Sequence, residues 1–76
     1  MNPNDEIDSL ISTNLERICD EYVHWSMTGT LGAGVIRELV HKIQTFYPMD
    51  TAMALFDAKI RIGDFLIRKQ HAAFIF

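Results

Sequence analysis

Two Glu-x-x-His pairs are the residues best placed to do chemistry: Glu21-Tyr22-Val23-His24 and Glu38-Leu39-Val40-His41. Residues three apart share a helix face, so a carboxylate and an imidazole at this spacing can chelate one metal ion. Helical di-metal carboxylate proteins build their centres from such pairs on facing helices. A chain folded back about residues 29–31 sets positions 21 and 24 at nearly the height of 38 and 41. Four ligands then converge, provided both pairs face inward. The apolar pattern argues against that orientation. Leu15, Ile18, Tyr22 and Trp25 form the stripe that must be buried, and Asn14, Arg17, Glu21, His24 and Thr28 form a polar stripe beside it. In the next segment Arg37, Glu38, His41 and Thr45 oppose Ile36, Leu39, Val40 and Ile43. The preferred reading is a solvated polar face with no metal and no other cofactor. The alternative is a metal-dependent dimer using Glu21, His24, Glu38 and His41.

Other constellations carry less. Cys19 is the single cysteine and pairs with no orienting base, so it reads as a small packed hydrophobe. Gly29, Gly32 and Gly34 follow no strand, so they are neither a Walker A loop nor a dinucleotide fingerprint. They read as a hinge with close helix packing, although amides at a helix start can hold an anion. Arg17 and His24 have an R-x6-H spacing that resembles the paired Arg and His of HEPN-type ribonucleases, which meet at a dimer seam and cleave RNA without metal. The match covers two residues, and Ile18 follows the Arg where that family usually has a polar residue. Ile7-Asp8, Leu10-Ile11, Leu15 and Arg17 resemble the first helix of chorismate mutases, but Thr28 stands where those enzymes carry a Lys. No catalytic set emerges from either comparison, and the chain reads as a non-enzyme.

Charge narrows the partners. Seven Lys plus Arg against ten Asp plus Glu give a formal charge of −3, where nucleic-acid binders usually carry a basic domain or stripe. The acids gather early, at Asp5, Glu6, Asp8, Glu16, Asp20 and Glu21, and a mild basic cluster lies late, at Lys59, Arg61, Arg68 and Lys69. A nucleic-acid-associated regulator using that cluster is a second alternative. No run approaches the roughly 18–20 apolar residues of a membrane span. The opening from Met1 to Asp8 is polar and acidic, unlike a secretory leader. With one cysteine, these features make the cytoplasm the expected compartment.

The elements that position these residues are helical. Asn2-Pro3-Asn4-Asp5-Glu6 is a helix start, with Asn as cap, Pro in the first turn and acids at the positive end of the dipole. Ile7, Ile11, Leu15, Ile18, Tyr22 and Trp25 then recur at helical spacing. This predicts one helix from about Pro3 to about Met27, ending at Gly29 and roughly 36 Å long at about 1.5 Å per residue. Thr30 can cap a second helix carrying Val35, Ile36, Leu39, Val40, Ile43, Phe46 and Tyr47, ended by Pro48. A third helix starts at Asp50, with Ala52, Phe56, Ile60, Gly63 and Ile67 on one helical stripe. The competing reading of residues 59–67 is a β-hairpin turning at Gly63-Asp64, which two strands alone stabilise poorly.

The expectation is an all-α single domain over 1–76: an antiparallel helical hairpin plus a third helix, a small three-helix bundle that self-associates. At 8.7 kDa a compact monomer exposes roughly 4,700 Å² and buries about 60% of its extended-chain surface, which is marginal. With 49% apolar residues, such a chain is expected to finish its core against another. The candidate interface is Tyr22, Trp25, Met27, Phe46, Tyr47, Phe74, Ile75 and Phe76, since aromatic residues concentrate at hot spots. The expected function is a small protein-binding regulator, inhibitor or accessory subunit, of the size and composition of phage or mobile-element proteins. Its expected partners are an unidentified protein and a second copy in a homodimer.

Overall fold

The computed structural model describes residues 2–75, with side chains described for residues 2–69. All regular structure among them is helical: α1 (Pro3–Thr13), α2 (Leu15–Thr28), α3 (Val35–Phe46) and α4 (Thr51–Ile75). The expected all-α class holds, with four helices in place of three. Asn2 caps α1 by accepting the Asn4 amide at 2.9 Å, and Pro3 begins the helix.

The long first helix is broken at Asn14, which is the first correction. Asn14 leaves helical geometry at φ −120° and ψ 27°. Its amide donates back to the Ile11 carbonyl at 3.3 Å, and its side chain donates to the Leu10 carbonyl at 3.0 Å. These bonds satisfy carbonyls that the end of α1 would otherwise leave without partners. Ser9, Ser12 and Thr13 precede Asn14, and such side chains compete with the helix for backbone groups. Ser12 does so, donating to the Ser9 carbonyl at 3.1 Å. The bend lets α1 pack on both α3 and α4.

Gly29 ends α2 in the left-handed region at φ 73°, a conformation glycine adopts without Cβ strain. The second helix does not start at Thr30, the second correction. It starts at Val35, after a loop, and its first amides are satisfied from α2. Tyr47 and Pro48 end it.

Asp50 then caps α4, its carboxylate accepting the Met53 amide at 2.8 Å. Asp50→Ala removes that acceptor and is expected to lower stability by about 1 kcal/mol, read as a lower midpoint in urea unfolding. Residues 59–67 are helical, so the β-hairpin does not form. Two acid-before-base pairs, Asp57–Arg61 and Asp64–Arg68, sit four apart and support the helix through the segment.

The core joins all four helices. Ile7 and Ile11 come from α1, Ile18 and Trp25 from α2, Ala54, Ala58 and Ile62 from α4. Five more come from α3: Val35, Ile36, Leu39, Val40 and Ile43. Helix α3 is central and touches every other helix. The molecule measures 39 × 33 × 18 Å, so its short dimension holds only about two layers of helices. Helix α4 carries a second apolar stripe opposite the one its larger residues mark. Its buried stripe is Ala54, Ala58 and Ile62, while Ala52, Phe56, Ile60 and Ile67 are exposed and Gly63 is half-buried. The small residues Ala54 and Ala58 lie against the bundle, where large side chains would hold α4 away from α3.

Candidate functional site

The Glu-x-x-His pairs do not converge. Glu21 reaches from α2 to the first turn of α3. Its Oε2 accepts the Val35 amide at 3.1 Å and its Oε1 accepts the Ile36 amide at 3.0 Å. Both carboxylate oxygens are therefore used at the positive end of α3, where negative charge is favoured. A Cβ built on Gly34 would lie 2.7 Å from either oxygen, so the glycine makes room for the carboxylate. The anion held by these amides belongs to the chain itself. Glu21 is thus level with Val35 and Ile36 and not with Glu38. His24, Glu38 and His41 are exposed. Among the described residues, no three His, Cys, Asp or Glu side chains gather where a metal could be held. A depression of about 280 Å³ beside this cap is lined by Asp20, Glu21, His24, Thr30, Leu31, Gly32 and Ala33, at the lower limit of small-molecule pockets. Arg17 and His24 both project from α2 into solvent.

The late basic cluster is a set of internal clamps. Arg61 Nε donates to Asp57 Oδ2 at 2.8 Å, and its Nη1 donates to Asn4 Oδ1 at 3.1 Å. The same Asn4 oxygen accepts the Tyr47 hydroxyl at 3.1 Å, and the Arg61 guanidinium lies 5.6 Å from the Tyr47 ring centre. Arg68 pairs with Asp64 at 3.0 Å and with Asp8 at 3.7 Å. Lys59 Nζ stands 4.3 Å from the Trp25 ring centre, within cation–π range. Three of the four cations thus tie α4 to α1, α2 or itself, and among the described residues Lys69 has none of these contacts.

Several candidate interface residues are inside. Trp25 is 8% exposed and belongs to the core, so it is no surface anchor. Tyr22 meets it edge-on, with ring centres 6.2 Å apart. Tyr22, Phe46 and Tyr47 are half-buried and pack against the core. Met27 is fully available at 81% exposure. The side chains of Phe74 and Ile75, and all of Phe76, lie outside the described residues.

The surface that sequence reasoning missed is on α4. Met53, Phe56, Ile60 and Ile67 are 63%, 66%, 53% and 67% exposed. With Gly63 they run at spacings of 3, 4, 3 and 4, a seam on one helix face, and that face points away from the core stripe of Ala54, Ala58 and Ile62. Helix α4 is apolar on two opposite sides, a pattern of helices covered on both. Comparison with protein-family models, with curated proteins and with solved structures finds no match to this chain. No described helix is long and apolar enough to cross a membrane.

Proposed function

We propose that this chain acts by binding protein through an apolar helical surface, as a small non-enzymatic regulator, inhibitor or accessory subunit. The second apolar face of α4 carries this reading. Four large apolar side chains on one stripe exceed the scattered singles normal on a soluble surface, and patches of this kind mark interaction sites. The charged groups that could serve nucleic acid or metal support the same reading from the other side. Glu21 is occupied as a helix cap, and Arg61 and Arg68 are occupied by carboxylates.

The test compares wild-type chain with Phe56→Glu in cross-linked capture from the native host. Phe56 is 66% exposed, so the variant keeps its helical circular dichroism. A protein retained by wild type and lost by Phe56→Glu is the expected result. Identical capture by both chains would show that the α4 face is not the binding surface.

A further inference from the structure

We infer that the occupant of the α4 face is a second copy of this chain, with the two α4 helices antiparallel. The inference rests on the protein-binding reading and names its partner. Three observations carry it.

The first is shape. Gly63 sits within the seam, and a Cβ there would meet nothing within 4 Å in its own chain. Glycine inside a helix is unfavourable, and no internal contact requires it here. An antiparallel partner supplies a reason. Pairing Phe56 with the partner's Ile67 sets Ile60 over the partner's Gly63, and the two-fold repeats both contacts. A large side chain then fills the space above each glycine. A parallel pair in register would set glycine on glycine and leave that space empty.

The second is charge. Along one edge of the seam run Asp57, Arg61, Asp64 and Arg68, in the order − + − +. Reversed, that order is + − + −, so an antiparallel copy sets opposite signs side by side along this edge, where Arg61 and Arg68 keep their carboxylate partners within the chain. Self-complementarity of this kind is what a two-fold interface requires, and the edge carries no net charge to select a strongly acidic or basic partner.

The third is area. The pairing covers Phe56, Ile60 and Ile67 on both copies, residues 66%, 53% and 67% exposed in the single chain, toward the roughly 1,000 Å² in all that a specific interface needs.

Sedimentation equilibrium at tens of micromolar tests the pairing. A mass near twice 8.7 kDa is expected for the wild type. Ile60→Glu and Gly63→Leu are each expected to weaken association roughly thirtyfold or more, as loss of a hot spot does. Ile60 is 53% exposed and a Cβ at Gly63 meets nothing within 4 Å, so helical circular dichroism is retained. The orientation is read from two single-cysteine chains in a Cys19→Ser background, Ile60→Cys and Gly63→Cys, oxidised together. Mixed disulfides should exceed either self-cross-link. A single-chain mass at every concentration overturns the pairing and leaves the protein-binding reading to its own capture experiment. A dimer that survives both seam variants uses another face and also overturns it. Dominant self-cross-linking of Gly63→Cys overturns the antiparallel arrangement.

Discussion

Ile62→Ala is expected to lower the stability of the chain by about 2–5 kcal/mol, while Ile60→Ala changes it by no more than about 0.5 kcal/mol. The two residues are of one type, two positions apart on one helix. Ile62 is fully buried, and Ile60 is 53% exposed. Truncating Ile62 removes its buried methyl groups and leaves a cavity between α4 and the rest of the core. Truncating Ile60 removes atoms already in contact with water, and alanine is the better helix former. The contrast is large for this chain, since a domain of 76 residues has a total stability of roughly 4–11 kcal/mol at about 0.05–0.15 kcal/mol per residue. Urea unfolding at submicromolar concentration, where self-pairing does not contribute, measures both changes. Equal losses at the two positions, or a larger loss at Ile60, would mean that the opposite face of α4 is the buried one.

That comparison also locates what could be read from the residues alone. The helix ends were legible wherever a local residue sets them: Asn2-Pro3, Gly29, Pro48 and Asp50 each act within one turn of themselves. The interruption at Asn14 was not legible from periodicity. Ile11, Leu15 and Ile18 keep helical spacing straight through a one-residue break, and the only signal was the cluster of Ser9, Ser12, Thr13 and Asn14. The face of α4 was ambiguous for a different reason. Ala54, Ala58 and Ile62 form one apolar stripe, and Phe56, Ile60 and Ile67 form another half a turn away. Which of them is buried depends on what α3 presents across the contact, and no local pattern contains that. Weight of hydrophobicity favours the larger residues, whereas close approach of two helices favours the alanines. The bond from Glu21 to Val35 and Ile36 crosses a loop and belongs to neither period. It accounts for the failure of the four-ligand convergence, because it sets α2 and α3 in a register that places Glu21 at the start of α3.

The same bond yields the second large effect. Glu21→Ala removes the side-chain acceptor of the Val35 and Ile36 amides, and the expected loss is about 1–2 kcal/mol, the range for a helix cap. Gly34→Ala is expected to act through the same interaction. Gly34 has φ 172°, an extended backbone that alanine adopts freely, so the substitution carries no conformational penalty of its own. Its added methyl group would stand 2.7 Å from the Glu21 carboxylate oxygens, nearer than they can tolerate. The flexible Glu21 side chain swings away, and the cap is lost without any change to Glu21 itself. The two substitutions are therefore not additive. In the Glu21→Ala background the three atoms nearest the methyl group are gone, and Gly34→Ala is expected to become neutral or slightly stabilising because it restricts the unfolded chain. A double-mutant cycle in urea should return a coupling of about 1 kcal/mol between residues 21 and 34, well above the additivity error of distant sites. Additive losses would mean that Gly34 is required by the loop and not by the carboxylate. An undiminished stability in Glu21→Ala would show that water satisfies the first amides of α3 equally well, and would leave Glu21 free for another ligand.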